Sequence, residues 1–154
     1  MSAAPGAAAE PFHHTLRVYW EDTDAGGVVF YANYLKFFER ARTEWLRALG
    51  VGQQQLRDDT GAIFIVSNTA LRYRAPARLD DRLDITVRVV ETGRASMTLQ
   101  QQAWKLPPIA ACPASNPAGK DCTLLCEGTI RIGCVDAATF RPCRFPLQIT
   151  EALA

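Results

Sequence analysis

Histidine is almost missing from this chain: its 154 residues include two, His13 and His14, side by side near the start. A Ser-His-Asp or Cys-His device needs an imidazole held on the scaffold, so any triad would have to borrow its base from the N-terminal segment. The Gly-x-Ser-x-Gly, Gly-x-x-x-x-Gly-Lys and Gly-x-Gly-x-x-Gly patterns are lacking too, which removes the usual nucleophile elbow and phosphate-cradling loops. The five cysteines, at 112, 122, 126, 134 and 143, include no Cys-x-x-Cys pair and have no histidine nearby. They read as small apolar fillers or free thiols, and no metal or other cofactor is expected. A net charge of +1 with mixed signs makes no broad basic field, so nucleic acid is not an expected partner. No run approaches the roughly 18 apolar residues of a membrane span, and residues 1–11 lack the cationic start and apolar stretch of a signal peptide. The chain reads as cytosolic and, at 154 residues, as one domain with a real core. Carboxylates remain as acid, base or nucleophile.

The richest segment is Glu21-Asp22-Thr23-Asp24-Ala25-Gly26-Gly27-Val28-Val29-Phe30-Tyr31, with two aspartates and a Gly-Gly turn between a strand and a long helix. An acid beside a helix N-terminus sits where N–H groups and the macrodipole favour negative charge, so an oxyanion could form there. Asp beside Gly is equally at home capping a turn, and the residues alone leave catalysis and capping open.

Residues 2–10 are mainly Ala, Pro and Gly, and 1–14 are expected to be a disordered tail, with the domain spanning 15–148. A strand is expected over 15–20. Over 34–49 the period becomes helical. Tyr34, Leu35, Phe37, Phe38, Ala41, Trp45, Leu46, Ala48 and Leu49 cover about half the circumference, and Lys36, Glu39, Arg40, Thr43, Glu44 and Arg47 the other half. Gly50 is the natural C-cap, with Arg47 in the last turn suiting the negative end. Arg42 alone falls on the apolar side, so it should snorkel or pair with Asp22 or Asp24. Strands follow at 62–73, 82–91, 95–104 and 124–135, rich in Val, Ile, Thr and Leu. Residues 106–121, with Pro107, Pro108, Pro113, Pro117 and Gly119, read as a long surface loop insertion. One helix with about five antiparallel strands makes an α+β fold, the helix covering one sheet face.

Asp22-Thr23-Asp24-Ala25-Gly26-Gly27-Val28-Val29, the run Ala32-Asn33-Tyr34-Leu35-Lys36-Phe37-Phe38-Glu39-Arg40-Ala41-Arg42-Thr43-Glu44, and Ala75-Pro76-Ala77-Arg78-Leu79-Asp80-Asp81 resemble the hotdog-fold acyl-CoA thioesterases. The nearest group is similar to the Tol-Pal-associated (YbgC-type) enzymes, relatives of 4-hydroxybenzoyl-CoA thioesterase. The resemblance implies a five-stranded antiparallel sheet wrapped around one long central helix, and hydrolysis of an acyl-CoA to free acid and coenzyme A. It carries the catalytic carboxylate onto Asp24, as nucleophile or general base, and the N–H that polarises the thioester carbonyl onto Tyr31. Asp22 is then a structural or orienting residue. YbgC-type enzymes usually have Tyr-His where this chain has Phe30-Tyr31, and a Tyr at the second position resembles the 4-hydroxybenzoyl group.

The chemistry stands beside the resemblance. A thioester carbonyl is electrophilic and thiolate leaves readily, so a carboxylate can attack it or draw a proton from water. Helix-start N–H groups from Gly27 to Tyr31 would stabilise the oxyanion. Val28, Phe30, Arg94 and Ser96 complete the expected site as substrate-binding residues, the turn at 93–96 resembling the stretch that contacts the nucleotide end of coenzyme A. Arg72, Arg74 and Arg78 could serve instead, and Trp20, Phe30, Phe64 and Trp104 could line an acyl pocket or simply pack the core. The resemblance also implies a homodimer or homotetramer with each active site between two chains, which would cover the exposed sheet edges. Acyl-carrier protein is a second candidate carrier. The competing readings are a non-catalytic module binding acyl-CoA or acyl-carrier protein within a lipid-synthesis or envelope complex, and a hotdog dehydratase. The dehydratase is nearly excluded because the helix region holds no histidine.

Overall fold

The structure is a computed structural model that describes residues 10–108 and 121–153. Five strands, β1 (Phe12–Arg17), β2 (Ala62–Tyr73), β3 (Arg82–Thr92), β4 (Ser96–Lys105) and β5 (Thr123–Asp136), form one antiparallel sheet in the order β1-β3-β4-β5-β2. The helix α1 (Asn33–Ala48) packs on β1, β3 and β4. Its sixteen residues bury Tyr34, Phe37, Phe38, Ala41, Trp45 and Leu46 against Leu83, Ile85 and Val87 of β3, Met97, Leu99 and Ala103 of β4, and Cys126, Ile130 and Ile132 of β5. Each fully buried Phe contributes roughly 1.5–3 kcal/mol by leaving water. The α+β expectation therefore holds, with the helix on one face of a five-stranded sheet.

The apolar period of α1 overreaches at one edge: Leu35 is 42 % exposed and Ala48 is exposed, because the sheet contacts a narrower stripe than the sequence offers. At its C-terminal end Gly50, with φ +86°, donates to Arg47 O at 2.9 Å, and Val51 donates to Leu46 O at 2.8 Å. This is a Schellman motif, with Val51 and Leu46 buried together beneath it.

Several boundaries differ from expectation. β1 starts at Phe12, not at 15, so His13 and His14 lie within a strand and not in a tail; it ends at Arg17, and Trp20–Asp22 is a 3-10 turn. The pairing of Phe12 with Val87 and a hydrogen bond between His13 Nδ1 and Asp84 Oδ2 (2.7 Å) hold this edge strand in place, and neither is visible from local pattern. Two further helices, α2 (Gln53–Thr60) and α3 (Leu147–Ala152), were not anticipated. Each buries a single residue, Leu56 or Ile149, too little for a periodic stripe. α3 also carries the ordered fold past residue 148. The 106–121 loop begins at buried Leu106, whose N–H donates to Arg82 O; its 109–120 portion, with Cys112, lies outside the described residues.

Candidate functional site

The Asp-rich segment folds as a miniature hairpin ahead of α1. Thr23 and Val29 bridge, Asp24 N–H donates to Val28 O at 2.9 Å, and Gly27 N–H donates to Asp24 O at 3.0 Å. Closing three residues between these strands needs a left-handed conformation at the last, and Gly27 supplies it with φ +77°. Asp24 is exposed. Its Oδ1 accepts the Gly26 N–H at 2.8 Å, and a Cβ on Gly26 would press to 3.1 Å from that oxygen. The other carboxylate oxygen has no hydrogen-bond partner among the described residues.

Asp22 has the opposite surroundings. It is 6 % exposed, its Oδ2 accepts Tyr19 N–H at 2.8 Å, and its carbonyl accepts Phe30 N–H at 2.9 Å and the Asn33 side-chain amide at 2.8 Å. The hairpin leans on the turn at 75–81: Val29 N–H donates to Ala77 O at 2.8 Å, and Ala77 N–H in turn donates to the Tyr34 hydroxyl at 3.3 Å. Burial pushes the Tyr34 phenol up to about 12.

The helix begins at Asn33, later than the proposed donors. The N–H groups of Gly27, Val29 and Phe30 are committed to Asp24, Ala77 and Asp22, so Gly27 serves the turn and not a ligand. Tyr31 N–H has no partner among the described residues. Its carbonyl accepts the Tyr73 hydroxyl at 2.8 Å, and its ring, 64 % exposed, sits edge-on to Tyr73 and tilted against Phe30. Phe30, Trp20 and Leu35 are exposed and Val28 is half-buried. The result is an aromatic surface with amides left without a partner among the described residues, those of Val28 and Tyr31 included, beside one exposed carboxylate. Asn33 and Tyr73 position it, yet only Asn33 lay close enough in sequence to be noticed; Tyr73 arrives through the register of β2.

Other expected residues lie elsewhere. Arg42 does not meet Asp22 or Asp24: it reaches across to β4, where Nη1 donates to Gln101 Oε1 at 2.9 Å. Gln101 is fully buried and donates to Phe38 O and Thr86 O; burial lowers the Arg42 pKa, and Glu39 opposes the shift. Phe64 packs on Phe145 at 5.7 Å, and Trp104 donates to Gln102. Arg94 and Ser96 flank the far end of β3. Asp24 sits by the start of that strand, since Val28 bridges Arg78 and β3 begins at Arg82. Eleven residues of strand keep the two ends on the order of 30 Å apart. Arg94 is exposed, and Ser96 Oγ accepts Arg131 Nη2 at 3.3 Å. Within one chain the two halves of the expected site do not meet. A cleft of about 900 Å³ lies at the C-terminal end of α1, lined by Trp45, Leu49, Val87 and Val89, and does not include Asp24. Among the described residues no cluster of His, Cys, Asp or Glu is built to hold a metal ion, and no helix is long and apolar enough to cross a membrane.

Known proteins resemble this chain in sequence and in fold. The model of the thioesterase-like superfamily matches residues 18–153, reaching through the C-terminal helix. The acyl-CoA thioesterase YbgC of Haemophilus influenzae is 37 % identical over 92 % of this chain and 93 % of its own length. The acyl-CoA thioester hydrolase YbgC of Escherichia coli O6:H1 is 39 % identical over 90 % and 92 %. Among solved structures, a probable thioesterase from Bartonella henselae superposes with a TM-score of 0.72 and 27 % identity, over 88 % of this chain and 99 % of its own. The sheet with α1 laid on it is the hotdog fold of these enzymes, and the chain belongs to the thioesterase-like superfamily.

Proposed function

We propose that the protein is an acyl-CoA thioester hydrolase in which Asp24 is the catalytic carboxylate and Tyr31 N–H stabilises the oxyanion. The observation that carries this reading is the pairing, on one short hairpin and the turn that leads from it into α1, of an exposed carboxylate with an unbonded oxygen and the Tyr31 amide without a partner. The thioester carbonyl points its oxygen at Tyr31 N–H, reinforced by the N-terminal dipole of α1. Asp24 then acts in one of two ways. As general base it takes a proton from water, whose oxygen adds to the carbonyl; the tetrahedral intermediate collapses, expels the coenzyme A thiolate and leaves the free acid. As nucleophile it adds directly, expels the thiolate and leaves a mixed anhydride that water cleaves. Single turnover in oxygen-18 water tests for the nucleophilic route, because label appearing in Asp24 itself requires the anhydride.

The complete site is built from two copies. β2 is an edge strand with one side unpaired, and Ile65, Val66 and Tyr73 on it are 37 %, 49 % and 47 % exposed. A second copy pairing β2 to β2 antiparallel covers that edge. Across the sheet Ile65 lines up with Gly133 and Gly133 with Ser96, whereas Tyr73 marks the Tyr31 end. Antiparallel pairing about the strand's midpoint brings the partner's 93–96 turn to the end where Asp24 lies. Val28 and Phe30 then contact the acyl group, and the partner's Arg94 and Ser96 face the coenzyme A phosphates. The active unit is this dimer, or a tetramer of two such dimers, working in the cytosol. Light scattering showing a 17.0 kDa monomer at micromolar concentration would contradict it.

The test is hydrolysis across short, medium, long and aromatic acyl-CoAs and acyl-carrier-protein thioesters, with Asp24→Asn alongside and a blank for the protein's own thiols. Turnover that collapses in the variant supports the enzyme. Binding of acyl-CoA or acyl-carrier protein with no turnover by the wild type supports a non-catalytic module instead.

A further inference from the structure

The sheet does not stop at the end of β5. The chain turns through 137–140 and returns antiparallel: Val135 bridges Pro142, Asp136 N–H donates to Arg141 O at 2.9 Å, and Cys143 N–H donates to Cys134 O at 2.9 Å. Asp136 pins the turn, its Oδ1 accepting the N–H groups of Ala138 and Thr139. In this short ladder Cys134 and Cys143 face each other, with Sγ atoms 3.3 Å apart. One ladder bond joins the pair, Cys143 N–H to Cys134 O, while Cys134 N–H donates to Ala95 O at 2.8 Å; residues opposed in this way lie on the order of 5.5 Å apart at Cα, inside the roughly 4.4–6.8 Å that a disulfide spans. Side-chain rotation alone brings the sulfurs together.

The thiols differ in access. Cys134 is fully buried, and its Sγ also approaches Arg144 O at 3.6 Å. Burial and the neighbouring Cys143 push its pKa up to about 12. Cys143 is half-buried and meets solvent first.

We propose that Cys134 and Cys143 are a redox-modification site, a dithiol that closes to an intramolecular disulfide by exchange with a small disulfide of the glutathione class. The Cys143 thiolate attacks one sulfur of oxidised glutathione, forming a mixed disulfide and releasing one glutathione thiolate. Cys134 gives up its proton to that thiolate, and its sulfur attacks Cys143 Sγ, releasing the second glutathione as thiolate, which picks up the proton that Cys143 had lost. The protein loses two electrons and two protons, and one glutathione disulfide becomes two thiols. The bond staples the segment from 141 onward to β5. That segment carries Phe145, packed on Phe64, and buried Ile149, and Phe145 N–H donates to Arg94 O at 3.1 Å. The proposal is independent of the thioesterase reading.

The full chain is equilibrated in graded ratios of reduced to oxidised glutathione, alkylated and digested for mass spectrometry. The expected result is that the segment carrying both sulfurs loses two hydrogens and escapes alkylation at the oxidising end, and recovers both thiols on return to reduced glutathione. Cys134→Ser should instead hold a glutathione adduct at Cys143, because no second thiol resolves it, while Cys143→Ser should leave Cys134 unmodified in the folded chain. Full alkylation of both cysteines at the oxidising end would overturn the proposal. So would an adduct persisting at Cys143 of the wild type, or linkage of either residue to a different cysteine.

Discussion

The two ends of α1 are built for opposite purposes. At the C-terminal end Gly50 and Val51 close a Schellman motif over buried Leu46, so the final carbonyls are satisfied and an apolar contact seals them. The N-terminal end is preceded by exposed Phe30 and Tyr31, an amide left without a partner and a carboxylate with a free oxygen. Two left-handed glycines, Gly27 at φ +77° and Gly50 at φ +86°, make both ends possible. One closes the turn that holds Asp24 and the other stops a helix. The same backbone device therefore leaves polar groups open at one end and seals them at the other, and on the proposed reading the open end is the one that does chemistry.

That difference breaks most sharply at the two glycines. Gly27→Ala should lower turnover by on the order of 10²-fold, since small misplacement of a catalytic group has that effect. Gly50→Ala should leave turnover unchanged while costing about 1–2 kcal/mol for a left-handed alanine, read as a lower melting temperature. Steady-state kinetics and thermal melts on both variants check this.

Next in size is the contrast within the hairpin. Asp22→Ala removes the buried carboxylate that accepts the Tyr19 N–H and should cost about 1.5–3 kcal/mol in urea unfolding, the range for a hydrogen bond to a charged group. Tyr73→Phe removes the hydroxyl that holds Tyr31 O. It should cost about 0.5–1.5 kcal/mol, with a change in kcat smaller than that of Gly27→Ala.

A separate effect, on stability alone, appears at high pH. Burial raises Tyr34, Cys126 and Cys134 each to about 12, from 10.0, 9.0 and 9.0. Acids with raised pKa hold their protons longer when folded, so the unfolded chain ionises first and stability falls as pH climbs from 9 towards 12. Tyr34→Phe should flatten the part of that decline lying between 10 and 12, measured by denaturant midpoints across the range.

Much of this was legible before the structure. The 62–73 strand, the α1 stripe and the Gly50 stop follow from local periodicity and turn chemistry. The Asp24 turn follows from Asp-Ala-Gly-Gly, where the residue types dictate a tight loop. What escaped depends on contacts far apart in sequence. Arg42 found Gln101, 59 positions away, and not the aspartates. β1 began early because β3 and Asp84 hold it. Cys134 and Cys143 became neighbours through a turn outside every expected strand. The helix-start amides looked numerous in sequence, yet hairpin bonding commits those of Gly27, Val29 and Phe30 and leaves those of Val28 and Tyr31.

The central claim is that Asp24 performs chemistry while Asp22, two positions earlier, holds the fold. The most direct measurement is kcat of Asp24→Asn on the best acyl-CoA of the panel, with its melting temperature beside that of the wild type. The account predicts a fall in kcat of about 10²–10⁴-fold at an unchanged melting temperature, because the carboxylate is exposed and the amide keeps an oxygen for Gly26 N–H. Turnover within a few-fold of the wild type in the folded variant would contradict it.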